Sequence, residues 1–452
     1  MVKMQISKSS LFTLIVLSGF LFSSYQLKAQ VKFGPTPTKE QLAWHDKEFY
    51  LFMHFGPNTF TDLEWGHGSE NPNVFNPTAL DCDQWVRTAK AAGAKGIIIT
   101  AKHHDGFCLW PSKFSKHTVR ESSWLNGKGD VLKMLSEACK KGGIEMGVYI
   151  SPWDKNHPLY GTPAYNDVYI NTMKELLTHY GKFFELWWDG ANGEGPNGKK
   201  QQYDFTKFKD SALAYQPQLV IFSDIGPHIR WVGNERGIIN ATNWNLLDTV
   251  GFKRGEGAPP NDTLNMGNFN GKHWIGAEAD VSIRKGWFYH PEEDSTVKSG
   301  AKLFDLYLQS VGHGGNMLLN VPPNRKGLID SLDVAALMSF KKIRDEAFKT
   351  NLFKNAVIQK TKTGLFISLP KPTTINTIQL QELIEFGQRV IAFELKAGNS
   401  RKELKTIFTG STIGHKRITQ FSTQTVQYIA LNILESKAAP LLKAPSGYLI
   451  QN

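Results

Sequence analysis

Between residues 49 and 323, short and almost uninterrupted apolar runs recur, separated by stretches of helical period. The runs are FYLFMHFG (49–56), GIIITAKH (96–103), IEMGVYISP (144–152), FFELWWDG (183–190), LVIFSD (219–224), HWIGAE (273–278) and NMLLNVPP (316–323). A strand that is solvated on one face alternates apolar and polar residues; one buried on both faces does not. Residues 83–93, 130–142, 167–180, 205–215 and 301–311 read as the intervening helices, several opening at an Asp and some ending at a Gly. With an eighth strand placed near Gly237–Thr242, this order predicts an α/β fold, a (β/α)8-like TIM barrel. A doubly wound sheet is the competing architecture. It would want a GxGxxG turn after its first strand, and none is present.

A helix at about 329–348 closes the barrel, and beyond it the chain changes character. All 12 Trp lie between Trp44 and Trp287. Residues 351–452 hold 13 Lys and Arg against five Glu and no Asp, so most of the net charge of +11 sits there. Alternating segments such as RVIAFELKA and VQYIALNIL predict a C-terminal antiparallel β-sandwich. The expected organisation is a signal peptide at 1–29, a barrel at 30–350 and a basic β-domain at 351–452. Lys3 and Lys8 precede an apolar stretch at Leu11–Phe22 that is too short to span a bilayer, so export to the periplasm or the medium is expected. No Cys follows that stretch, which argues against a lipid anchor. Cys82, Cys108 and Cys139 match no zinc spacing and read as buried small hydrophobes. The basic pI comes without an RNP, helix-turn-helix or finger signature, so nucleic acid is not an expected partner.

In a TIM barrel, chemistry sits at the C-terminal ends of the strands. Read in order, those ends and the loops after them carry Phe52 and His54, then Glu64 and Trp65, then Lys102, His103, His104 and Asp105. Tyr149, then Trp187, Trp188 and Asp189, come next. The loop placed after the fifth strand adds Arg230, Trp231, Asn234 and Glu235; the seventh strand adds Glu278, Asp280, Arg284 and Trp287. Aromatic faces beside carboxylates suit a sugar, whose C–H faces stack while its hydroxyls take directed hydrogen bonds. Three readings fit this rim: a metal site, a binding surface without chemistry, and a glycoside hydrolase using two carboxylates. HExxH is absent, and adjacent His103 and His104 on an extended strand would point to opposite faces, which disfavours the metal.

The stretch GAKGIIITAKHHDGFCLWPSKFSKHTV (93–119) resembles the signature of the α-L-fucosidases of glycoside hydrolase family 29. FMHFGPNTFTDLEWGHG (52–68), GVYISPWD (147–154), ELWWDGAN (185–192) and GGNMLLNVPPNRKGLID (314–330) reinforce it. The resemblance implies retaining, exo-acting hydrolysis of terminal α-L-fucosides without a cofactor or metal. It implies Asp189 as nucleophile, with Trp187 and Trp188 shielding it. The block GPHIRWVGNERG (226–237) resembles the α-1,3/α-1,4-specific branch, which implies Glu235 as acid/base and branched Lewis-type glycans as substrates. Glu278 is the alternative acid/base, in a broad-specificity enzyme; a non-catalytic fucose lectin is the other alternative. Around the sugar the resemblance places His54, Glu64, Trp65, His103, His104, Tyr149 and Trp187, with Phe52 helping to seat the C6 methyl. Arg230, Trp231, Asn234 and Trp287 are expected to contact the neighbouring galactose, with Arg284 orienting carboxylates.

Overall fold

In a computed structural model that describes residues 31–451, eight parallel strands close into a barrel. They are β1 (Phe49–Met53), β2 (Gly96–Lys102), β3 (Glu145–Ile150), β4 (Phe183–Trp187), β5 (Val220–Ser223), β6 (Ile229–Trp231), β7 (Gly276–Ser282) and β8 (Asn316–Asn320). Each pairs in parallel with the next, and β8 returns to β1 with Phe49 opposite Met317. The expected signal peptide lies outside the described residues.

Alternate residues explain the uninterrupted runs. Leu51, Ile97, Ile99, Val148, Leu186 and Ile221 pack outward into one large core with the helices. Tyr50, Phe52, Ile98, Tyr149, Trp187, Phe222, Ile229 and Leu318 fill the barrel, with Trp44 from a helix that precedes β1. Both faces of each strand are therefore dry.

Several helices begin where side chains satisfy their free N–H groups. Asp81 accepts from Gln84 N ahead of the Cys82–Ala92 helix, and Asp130 from Lys133 N ahead of Val131–Gly142. Asp204 accepts from Lys207 N ahead of Phe205–Tyr215, and Ser299 from Lys302 N ahead of Gly300–Ser310. Such a cap is worth about 1 kcal/mol. The first two end at Gly93 and Gly143 in the left-handed region, where a Cβ is disfavoured.

The second half of the barrel corrects the sequence reading. Residues 237–242 form no strand; the sixth strand is Ile229–Trp231, only three residues long. Ile239 mimics a strand because it is buried against Ala277 and Ala279 of β7. The seventh strand runs from Gly276, three residues later than the run that signalled it.

After a closing helix, Ser331–Ala347, the chain forms a six-stranded antiparallel sheet. Its strands Gly364–Leu380 and Arg417–Ser436 run through two register shifts, so they hydrogen-bond as one continuous sheet around a separate core that includes Ile367, Phe393 and Leu431. From Lys32 onward the chain forms one compact unit. Among the described residues no helix is long and apolar enough to cross a membrane, and Cys82, Cys108 and Cys139 are buried free thiols.

Candidate active site

The C-terminal ends of the strands surround a cavity of about 150 Å³. It is lined by Phe52, His54, Glu64, Trp65, His103, His104, Tyr149, Trp187, Asp189, Ala191, Glu235, Asp280 and Trp287. Asp189 follows β4 and is partly exposed. Its Oδ2 accepts from the Tyr149 hydroxyl (2.9 Å) and its Oδ1 from Ala191 N (2.8 Å). Glu235 lines the same cavity at its exposed rim, where Trp287 Nε1 donates to Oε2 (3.3 Å). Burial raises the Glu235 carboxyl above its ordinary value; the Trp287 N–H opposes this, and the charges of Asp189 and Glu64 add to it. Two carboxyl groups thus face one cavity in contrasting environments.

The three histidines are neutral, and two have their tautomer fixed. Burial pushes His54 down to about 3 and His104 down to about 4, and holds His103 well below its ordinary value. Asn320 Nδ2 donates to Trp287 O (2.7 Å) and Ser282 Oγ (2.9 Å), which turns its Oδ1 toward His54 Nδ1 (2.9 Å). His54 therefore carries its proton on Nδ1 and keeps a lone pair on Nε2. Ser151 donates its proton to Trp153 O (2.9 Å), so His104 Nδ1 is the donor to Ser151 Oγ (2.7 Å). Neutral imidazoles of this kind accept from ring hydroxyls without placing a cation in the pocket.

Aromatic rings build the walls. Trp187 lies flat on Phe222 (centroids 4.0 Å, 11°) and stacks with Tyr149 (5.2 Å, 28°). Trp65, 56% exposed, meets Trp153 edge-on at the mouth (5.9 Å). Glu64 ties two loops together: it accepts from Trp287 N (2.9 Å), Phe288 N (3.3 Å) and His290 Nε2 (2.6 Å).

The sequence model of the family described as Alpha-L-fucosidase matches residues 36–342. Alpha-L-fucosidase 1 of Arabidopsis thaliana is 38% identical over 465 residues, which cover 95% of this chain and 89% of that one. A glycoside hydrolase 29 family member from an unknown rumen bacterium superposes with a TM-score of 0.88 at 40% identity, covering 93% of this chain and 78% of that one. A Ruminococcus gnavus GH29 fucosidase in complex with fucose gives 0.84 at 30% identity, covering 93% and 96%. The chain belongs to the α-L-fucosidase family. It is a glycoside hydrolase.

Not every sequence-predicted residue of the fucosidase reaches this cavity. Arg230 is fully buried; it donates to Leu264 O (2.7 Å), Ile275 O (2.6 Å) and Asn243 Oδ1 (3.0 Å). It lies in β6, not in a loop, and does not line the cavity. Asn234 shapes its own loop, donating to Val232 O (3.1 Å) and Ile238 O (3.0 Å). Glu278 is sealed inside the barrel, bonded to Tyr50 and Trp187, and cannot deliver a proton to a leaving group. Trp188 alternates outward from Trp187 and packs on Phe205 (5.5 Å), so it does not shield Asp189. Arg284 pairs with Asp333 (3.0 Å) and Asp294 (2.7 Å), outside the cavity. His103 and His104 do not diverge: β2 ends at Lys102, and both rings line the cavity, 4.2 Å apart.

Trp231 lines a second cavity of about 310 Å³ that shares Trp187, Asp189, Ala191, Glu235 and Asp280 with the first. Asp224 and Asn261 join it there. Burial and Asp189 push the Asp224 carboxyl up to about 6. Sequence reasoning gave Asp224 no role, although it ends the fifth apolar run and the rule of strand ends would have found it. Asp280, named on the rim without a role, lines both cavities and accepts from Trp231 Nε1 (3.1 Å). Asn320 and Ser151 were missed because they act on the histidines, which no motif spacing reveals.

Proposed function

We propose that this fucosidase is a retaining, exo-acting enzyme that removes α-1,3- and α-1,4-linked L-fucose from branched Lewis-type glycans. Asp189 attacks the anomeric carbon while Glu235 donates a proton to the departing glycosidic oxygen. The fucosyl ester on Asp189 then yields to a water that Glu235 deprotonates. The observation that carries this reading is the contrast between the two carboxyls. Asp189 accepts two hydrogen bonds, one from a backbone N–H and one from Tyr149. Glu235, raised by burial, keeps its proton to higher pH than a free Glu.

Fucose sits with its hydroxyls toward His54, His103 and His104. Its C6 methyl lies against Phe52, Tyr149 and Trp187, where a hydroxymethyl group would be buried without a partner. The linkage reading is supported by the adjoining cavity: it begins at the two carboxyls and offers the Trp231 ring with Asp224 and Asn261 to a second sugar. Binding energy from that sugar is used in positioning the reacting bond, so truncated substrates lose turnover as well as affinity.

Proton NMR of the first-formed fucose tests the stereochemistry: the α-anomer supports double displacement, the β-anomer overturns it. Comparing kcat/KM for a Lewis trisaccharide, an α-1,2-fucosylated disaccharide and 4-nitrophenyl α-L-fucoside tests the linkage. A large preference for the trisaccharide is expected, and equal values would assign a broad-specificity enzyme.

A further inference from the structure

Beneath the sugar cavity, the barrel interior holds two carboxyl groups that the reaction does not use. Trp44 Nε1 donates to both Tyr50 Oη (2.8 Å) and Glu185 Oε2 (3.0 Å). The Tyr50 hydroxyl donates to Glu278 Oε2, and Trp187 Nε1 donates to Glu278 Oε1 (2.9 Å). Tyr50, Glu185 and Glu278 are all fully buried. Two neighbouring carboxylates cannot both be charged in such a place. Oε1 of Glu185 is buried and meets no donor, as suits a protonated carboxyl, and Glu185 shares a side-chain hydrogen bond with Glu278, which assigns the shared proton to Glu185. Burial and the Glu278 charge hold Glu185 well above the ordinary range, in accord with this assignment. Glu278 is left as a pure acceptor, with Tyr50, Trp187 and Glu185 as its donors.

Trp187 forms part of the sugar cavity, and its stacking on Phe222 and Tyr149 fixes the plane of the indole. Stacking leaves the ring free to slide and to turn within that plane. The N–H bond to Glu278 removes that freedom. We propose that Glu278, completed by the proton on Glu185, is a positioning residue for fucoside hydrolysis: it locks the Trp187 indole under the sugar and, through the Trp187–Tyr149 stack, the hydroxyl that donates to Asp189. The last link rests on Asp189 being the nucleophile.

An amide at 278 offers one acceptor and two donors where three donors converge, so Glu278→Gln disturbs the indole without changing volume. A double-mutant cycle on the full chain tests the idea, with kcat, KM and the dissociation constant of free fucose measured for Glu278→Gln, Trp187→Phe and the double variant. Glu278→Gln is expected to lower kcat/KM by about 10- to 100-fold, as for a small misplacement at a reacting centre, with a changed tryptophan fluorescence spectrum. In the Trp187→Phe background the same substitution is expected to cost nothing further. Losses that multiply, or an unimpaired Glu278→Gln, would overturn the proposal. If Glu278→Gln does not fold, the Glu185 variants decide. Glu185→Gln supplies a permanent donor and is expected to retain more kcat than Glu185→Met, which supplies none; equal values for the two would overturn it. An error in the nucleophile would show separately, as ordinary turnover in Asp189→Ala.

Discussion

Asn320→Ala separates what holds the pocket's shape from what holds its protons. The Asn320 side chain, fully buried at the end of β8, makes four bonds: Oδ1 accepts from His54 Nδ1 and from the His54 backbone N–H (3.3 Å), and Nδ2 donates to Trp287 O and Ser282 Oγ. Removing it strands a buried imidazole N–H, the His54 backbone N–H and a carbonyl, at about 1–3 kcal/mol for a fully orphaned donor and less for the long backbone bond and the carbonyl. Total destabilisation of about 2–4 kcal/mol is expected, read as a lower urea midpoint with an unchanged m-value. The catalytic effect is distinct. Without Asn320 both His54 tautomers are available, the Trp287 loop loses an anchor, and kcat/KM is expected to fall by about 10- to 100-fold. Asn320→Asp sharpens the test. A carboxylate beside His54 favours the imidazolium, raising a group that burial now holds at about 3. The protonated ring has no lone pair for a sugar hydroxyl, so activity should fall as pH drops through the raised value. The parent enzyme should show no such step above pH 4. An Asn320→Ala variant that is destabilised yet turns over within twofold of the parent would refute the tautomer argument and leave Asn320 a purely structural residue.

Asp189→Ala should abolish turnover without unfolding the protein, and azide should partly restore it as the fucosyl azide of inverted configuration; product NMR reads the outcome. Glu235→Ala should slow substrates with poor leaving groups far more than activated aryl fucosides, with azide giving the retained product. Because the Glu235 carboxyl is raised, the parent's kcat/KM should fall as pH rises through that raised value, and this alkaline limb should vanish in Glu235→Gln. Trp231→Ala should shrink the preference for a Lewis trisaccharide while leaving 4-nitrophenyl fucoside hydrolysis nearly unchanged, as measured by the ratio of the two kcat/KM values.

Much of the barrel was legible because strands buried on both sides leave no polar residue to interrupt the run. β1, β2, β3 and β8 are of this kind, with both faces apolar along most of their length. The same physics hid the rest. β6 is three residues long and carries Arg230, which is buried through bonds to carbonyls and an amide oxygen and so breaks the apolar pattern from within. β7 carries Glu278 and Asp280 into the barrel interior, where an apolar pattern would have been the signal for a strand. Ile239 supplied a false signal, since a buried loop residue reads like a strand residue when its neighbours are apolar. The long C-terminal strands were legible by alternation, but their register shifts were not, because a bulge changes pairing without changing composition.

The site divides along a related line. His54, His103, His104, Tyr149, Trp187, Asp189, Glu235 and Trp287 all reach one cavity, and a motif or a strand end marked each of them. Arg230, Asn234 and Glu278 were marked in the same way and do not reach it; Asn234 turns back on its own loop, while the other two lie in strands. The difference is register: in a strand, adjacent residues face opposite layers, and depth decides whether an inward residue meets the sugar or the plug beneath it. Glu278 faces inward, as Asp280 does, but two residues lower on β7, and that one step along the strand takes it from the cavity wall to the bonds under Trp187. A carboxylate at that depth does not line the cavity, but it can hold a ring that does. A residue type and a strand end therefore identify a candidate, and only its height in the barrel separates the group that reacts from the group that positions.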